Sequence, residues 1–265
     1  MPVGQALTNP RLAGSRASDK RMIRPMSRPF LTARWSNLCL FTFTVPPELL
    51  WPRVPPGLIL DARDGDAFVS LVAFDFLDTR VLGVRWPGYR NFPEINLRFY
   101  VRDHEGPDAR RGVVFIREFV PQRLVALLAR AIYNEPYSAA PMSSRITESH
   151  DRITVEHELD AGGRTNTLRV TGGKPAACPG PDSLEHFFKE HQWGYGTTRT
   201  GRCLQYEVAH PHWDCFGVTD YALDWDWAAV YGPEFRILHG ATPCSIILAK
   251  GSDVAVYPKG GLAGV

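Results

Sequence analysis

The sequence predicts a mainly β, α+β fold, and three observations carry that reading. Strand-like runs outnumber helical ones along the chain. The 23 glycines and 22 prolines punctuate it at the spacing expected where many short strands are joined by turns. The third is Glu94-Ile-Asn-Leu-Arg-Phe-Tyr-Val101, which alternates polar and apolar residues with a period of two, as only a strand requires.

Taken in order, the apolar and β-branched run Leu38–Val45 reads as a strand ending at Pro46-Pro47, followed by a short helical turn over Pro47–Leu50. Asp64-Gly65 is a turn signal leading into a strand over Ala67–Phe76, and Gly112–Val120 is a further strand after the period-two run. Pro121 suits the first turn of a helix whose Leu124, Leu127, Leu128 and Ala131 fall on one face, the face expected to pack, with Pro136 as its stop. Ile153–Leu159 and Thr167–Thr171 read as strands joined through Gly162-Gly163. Asp182-Ser-Leu-Glu185 has capping-box spacing for a second short helix before Phe187 and Phe188. Gln192–Gly196 reads as a glycine-rich turn covered by aromatics. Strands are expected at Cys203–His210, weakly at 214–219, and at Cys244–Lys250 and Val254–Tyr257.

Residues 1–29 carry six basic side chains against the single acid Asp19 and no apolar periodicity, and read as a disordered basic arm, with an organelle-targeting segment as the alternative. One domain over 30–260 and a tail at 261–265 account for the rest. The net charge of +2 argues against a broad electrostatic surface for nucleic acid, leaving only the basic arm for a protein-interaction or DNA-associated role, and no apolar run approaches the length of a membrane span. Five cysteines without a C-x-x-C spacing argue against a disulfide framework and a zinc ribbon, and favour a reducing, cytoplasmic setting. No cofactor motif is found, and homo-oligomer formation is left open.

Three constellations could carry chemistry. On the period-two strand Glu94, Asn96, Arg98 and Tyr100 share one face, where Arg98 could clamp a carboxylate and Glu94 could move protons if burial raised its pKa. The same row also fits an ordinary solvated sheet face, and from the pattern alone that plainer reading takes precedence. Tyr133, Glu135 and Tyr137 stand at a helix–loop junction, where they either meet a ligand or pack beside the Pro136 stop. His210, His212 and Asp214 would share a strand face as metal ligands do, but Pro211 interrupts regular geometry, so His210 is read as a structural or ligand-contacting histidine and no metal is expected.

The order of these features resembles the YqjF-like family, a group without established function in the acetoacetate decarboxylase-like superfamily. The matching pieces are Trp35-Ser-Asn37, Val54-Pro-Pro-Gly57, Asp64-Gly65, Glu94-x-Asn96-x-Arg98-x-Tyr100-Val101, Pro136-Tyr137, Ser183-Leu184-Glu185, His210-Pro-x-Trp213 and Gly251-Ser252-x-Val254, spread over 30–257. The resemblance implies a β-cone or barrel of mostly antiparallel strands, with a few helices outside and a central cavity. The decarboxylases hold in that cavity a lysine that forms a Schiff base with a keto acid, within Arg-Glu-x-Trp-Gly-Phe-Pro-Lys-Lys. Here the corresponding stretch is Arg130–Ser138, and Tyr137 and Ser138 stand at the two lysine positions. The resemblance also moves Glu94, and with it Asn96, Arg98 and Tyr100, from the surface to the cavity.

Two functions follow from it. In the first, the chain is an enzyme working by acid–base chemistry on an organic acid or carbonyl compound, with Glu94 as base or acid, Arg98 as anchor and Tyr137 or Tyr133 as proton donor, without a Schiff base. In the second, the same groups, with Glu135 and His210, only bind a small molecule without turnover.

Overall fold

The computed structural model describes residues 28–180, 183–189, 191–211 and 213–261. The arm up to residue 27, Asp182 of the capping box, His212 and residues 262–265 lie outside the described residues.

Among the described residues, fourteen strands form one sheet. In chain order they are β1 (Leu31–Val45), β2 (Ile59–Leu60), β3 (Ala67–Val81), β4 (Phe92–Arg102), β5 (Arg111–Val120), β6 (Tyr137–Ala139) and β7 (Met142–Glu148). They continue with β8 (Arg152–Ala161), β9 (Arg164–Ala177), β10 (Trp193–Thr197), β11 (Cys203–Ala209), β12 (Cys215–Asp224), β13 (Ser245–Val256) and β14 (Gly260–Gly261). Three α-helices, α1 (Arg123–Tyr133), α2 (Leu184–Lys189) and α3 (Trp227–Tyr231), complete the element order with short 3-10 turns.

The neighbour order β11-β10-β5-β4-β3-β1-β13 returns to β11 through Val208↔Val256 and Ala209↔Ala255, so these strands close a ring. All contacts round this ring are antiparallel except β10 with β5, which is parallel. The remaining strands β12, β9, β8 and β7 continue from β13. Because side chains alternate along each strand, the ring builds two cores. Ile95, Leu97, Phe99 and Val101 join Phe41, Phe43, Val155, Val170 and Trp227 in one cluster, between the ring and the β7–β9 layer with α3. Tyr100, Leu40, Val72, Phe74, Val113, Phe188 and Trp213 form the other, on the opposite face.

Several elements differ from the sequence expectation, each for a local reason. Cys244–Lys250 and Val254–Tyr257 belong to one strand, β13. Gly251 at φ 83° lets it run on past Trp35, whose carbonyl a side chain there would overlap. Gln192–Gly196 is no turn but belongs to the ring strand β10; Gly194 serves close approach, since a Cβ there would overlap Tyr206 Cζ. On α1 Leu124 and Leu127 are turned outward, and Leu128 stands at the cavity wall. Leu124, Leu127 and Leu128 are 46%, 62% and 48% exposed, while Ala126 is buried, because the helix packs by its smaller side chains. The second helix is capped by Ser183, whose Oγ accepts from the His186 amide at 3.1 Å. None of the five cysteines is in a disulfide among the described residues. No described helix is long and apolar enough to cross a membrane.

The fit of Tyr206 over Gly194 gives a direct test. Gly194→Ala is expected to cost about 1–3 kcal/mol of stability through overpacking. Gly217→Ala, where a Cβ would meet nothing, serves as the neutral comparison in the same denaturant melts. Equal melts would show that Tyr206 does not lie on that backbone.

Candidate functional site

A cavity of about 320 Å³ opens inside the ring, and every ring strand contributes to its wall. Most of the wall is apolar and aromatic, including Trp35, Phe76, Phe92, Phe115, Phe188 and Trp213. Against that background stand Glu94, Arg98, Glu118, Glu135, Tyr137, His191, Tyr206 and His210.

Glu94 is the best-held of these. On β4 it lies opposite Phe74 of β3, on the face that looks inward. The Tyr137 hydroxyl donates to its Oε2 at 2.8 Å, and the Asn96 amide donates to Oε1 at 3.0 Å. Burial pushes its pKa up to about 7; those two hydrogen bonds and the charge of Arg98 pull the other way.

Glu118 and Glu135 share the same end of the cavity. In the ladder between β4 and β5, Leu97 faces Arg117 but Arg98 faces Phe115, so Ile116 is an extra, bulged residue. The bulge puts Phe115 and Glu118 on one face, opposite Arg98 and Asn96, where strict alternation would have separated them. At the end of α1, Asn134 takes a left-handed conformation (φ 56°) and stops the helix. The chain then turns Glu135 inward and pairs β6 with β5 in parallel, placing Tyr137 beside Glu118. Burial, then the neighbouring Glu135 and Glu94 charges, raise Glu118 well above the carboxylate range. Burial pushes Glu135 up to about 8 against a hydrogen bond from Tyr206. Glu118 Oε2 and Glu135 Oε1 are both buried without a hydrogen-bond partner. Three carboxyls this close cannot all ionise, so the cluster holds protons at neutral pH and exchanges them near it. Tyr137 and Tyr206 are held as phenols, their pKa values raised by burial and by the carboxyls beside them.

Arg98 is half-buried and forms no ion pair with Glu94. Its guanidinium lies over the Tyr100 ring, 5.9 Å from the centroid, and its buried Nε has no partner. At Glu94 burial outweighs the opposing charge of Arg98. Asn96 and Tyr100 share the face as expected but stand behind the wall. Asn96 holds Glu94, and Tyr100 forms a buried hydroxyl chain with Ser70 (2.5 Å), which in turn meets Thr42 (2.6 Å). Glu135 and Tyr137 reach the cavity, whereas the Tyr133 side chain lies outside the described residues. His210 is on the wall, stacked on Trp213 at 4.5 Å. No group of three or more His, Cys, Asp or Glu placed to hold a metal occurs among the described residues.

A family model described as an uncharacterized conserved protein, DUF2071, matches residues 32–253. The chain belongs to the DUF2071 family. Protein YqjF of Bacillus subtilis, itself described as uncharacterized, is 31% identical over 186 residues, covering 67% of this chain and 71% of YqjF. Among solved structures, an acetoacetate decarboxylase-like enzyme from Sphingomonas wittichii RW1 aligns with a TM-score of 0.61 at 12% identity, over 88% of this chain and 92% of that one. Acetoacetate decarboxylase from Legionella pneumophila aligns at 0.58 and 14% identity, over 97% and 98%. The enduracididine biosynthesis enzyme MppR, solved with pyruvate, aligns at 0.57 and 15%, over 89% and 91%. At these identities the structural likeness establishes the acetoacetate decarboxylase-like fold of this DUF2071 member.

Glu118, His191 and Tyr206 were not singled out in the sequence. Glu118 is hidden by the Ile116 bulge, which no residue type announces, and Tyr206 sits in an unremarkable strand. His191 follows α2 with no local motif around it.

The carboxyl cluster predicts how stability depends on pH. Glu94 is protonated more readily in the folded than in the unfolded chain, so its contribution is complete below the unfolded pKa and is lost as pH rises through about 7. The full chain should therefore lose stability between about pH 5 and 8, and Glu94→Gln should lower that slope by up to about 1.4 kcal/mol per pH unit. Parallel profiles for the two proteins would refute the assignment.

Proposed function

We propose that this protein is an enzyme acting by acid–base chemistry on a small organic acid or carbonyl compound, without a Schiff-base lysine. The observation that carries the reading is Glu94, pushed to about 7 inside an apolar cavity and held between the Tyr137 phenol and the Asn96 amide. A carboxyl poised near neutral can take a proton from a substrate carbon or oxygen and return it. Tyr137 remains a phenol, and its hydrogen bond to Glu94 spreads the charge of that carboxylate when it forms. Arg98, unpaired and facing the cavity, supplies the positive charge that a substrate carboxylate or a developing enolate requires. The other carboxyls, held protonated, do not repel an anion seated there.

The described wall of the cavity contains no lysine, which supports chemistry without an imine. MppR has been solved with pyruvate bound, so an enzyme of this fold accepts a small oxo acid. The chemistry in this chain would rest on carboxyl and phenol groups instead of an amine.

The second reading, a binding protein with no turnover, is favoured by that same missing amine nucleophile. Turnover of a panel of oxo and hydroxy acids, followed by deuterium incorporation from solvent, separates the two. Under the proposal Glu94→Gln abolishes exchange, by about 10²-fold or more, while ligand binding persists. Binding without exchange in the unsubstituted protein would favour the binding module. Borohydride treatment with pyruvate is expected to label no lysine, and specific labelling of one would overturn the imine-free mechanism.

A further inference from the structure

A second polar group stands at the cavity wall, His191 with Asp61 behind it. Asp61, just past β2, is buried and accepts a backbone-held position through its amide, which donates to the Tyr100 carbonyl at 3.0 Å. Its Oδ2 meets His191 Nε2 at 2.9 Å, and both side chains are 1% exposed. Arg111 Nε lies 3.3 Å from the same oxygen, and Arg102 Nε lies 3.9 Å from Oδ1. A carboxylate so surrounded offers only acceptors, so the hydrogen on the imidazole sits on Nε2 and points at Asp61. The other ring nitrogen, Nδ1, is then a lone-pair acceptor. It is buried and has no partner, and His191 is part of the cavity wall. Burial lowers the His191 pKa, with Asp61 opposing, which keeps the ring neutral.

Arg98 stands beside it. The His191 ring lies 4.7 Å from the Tyr100 ring, and the Arg98 guanidinium rests on that same Tyr100 at 5.9 Å. Arg98 and His191 thus lie against one aromatic ring and line the cavity, and each has a buried atom, the donor Nε and the acceptor Nδ1, without a hydrogen-bond partner. Buried polar groups are seldom left this way unless something else satisfies them. A carboxylate suits Arg98. The neighbour it requires is a donor, because a second acceptor would oppose the Nδ1 lone pair.

We propose that Asp61–His191 and Arg98 form a recognition subsite for a small hydroxy acid, the carboxylate on Arg98 and the hydroxyl donating to His191 Nδ1. This deepens the reading of the cavity as an acid-binding site and rests on it. His191 here is a binding residue, and Asp61 is a positioning residue that sets its tautomer. The corresponding oxo acid carries no donor, so binding it leaves Nδ1 buried and unpaired, which discriminates against it.

Calorimetric titration of the full chain at neutral pH with two matched pairs tests this: mandelate against benzoylformate, and 3-hydroxybutyrate against acetoacetate. At least one hydroxy acid is expected to bind roughly tenfold or more tighter than its oxo partner. His191→Phe should reduce that preference to within about twofold, while the oxo acid keeps its affinity. Long-range ¹H–¹⁵N spectra of histidine-labelled protein should show an unprotonated Nδ1 for His191 that moves when the hydroxy acid is added. Asp61→Asn, which can hydrogen-bond either tautomer, should weaken both the preference and the tautomer bias. Equal affinities within both pairs, a preference that survives His191→Phe, or a protonated Nδ1 in the unsubstituted protein would overturn the subsite but leave acid binding in place. Should His191→Phe fail to fold, the spectra and the Asp61→Asn titration decide. Failure of all four acids to bind, or binding indifferent to Arg98→Met, would instead remove the acid-binding reading and this subsite with it.

Discussion

Three carboxyl groups buried together in an aromatic-walled ring set the terms for the rest of this structure. Glu94, Glu118 and Glu135 each lose solvation, and each would repel the others if ionised. The surrounding elements are arranged to keep the cluster tolerable. Asn96 and Tyr137 occupy both oxygens of Glu94, and Tyr206 bonds to Glu135. Tyr206 can reach Glu135 because Gly194 lets its ring lie on the β10 backbone. The short parallel strand β6, which brings Tyr137 beside Glu118, depends in turn on the left-handed Asn134 that ends α1. Each of these devices is local, and all converge on the same few oxygens.

How much of this was legible in the sequence depends on whether a local rule survives into the tertiary structure. The alternation from Glu94 to Val101 does survive, because β4 is paired on both sides and keeps its pleat through that stretch. It correctly puts Glu94, Asn96, Arg98 and Tyr100 on one face, and only the family resemblance turns that face inward. The alternation in β5 does not survive, since the Ile116 bulge changes its phase and brings Glu118 to the cavity. The leucines of α1 have the spacing of a packing face and are exposed, because the helix meets β5 and β6 through smaller residues. Asp61 and His191 are 130 residues apart in the chain, and no spacing rule reaches across that interval.

The two polar ends of the cavity are built on different principles. At the carboxyl end, protons are the shared commodity, and phenols and acids exchange hydrogen bonds with little formal charge present. At the Asp61 end, formal charges are present and are balanced by Arg102 and Arg111 from the adjacent strands β4 and β5. Arg98 lies between them and acts on both, since its charge is felt at Glu94, Glu118 and His191. An anion entering the cavity would meet its strongest attraction there.

Closure of the ring has a consequence for how the chain is made. Leu31 near one end of β1 lies opposite Val256 at the far end of β13, and Val256 also meets Val208 and forms part of the cavity wall. Until β13 has left the ribosome, the ring lacks the strand that joins β1 to β11. The carboxyl-bearing strands β4 and β5 are made long before that. They must wait with their acids in water, ionised and harmless, and take up protons only when β13 shuts the solvent out. Assembly of the cavity and neutralisation of its acids are in that sense one late event.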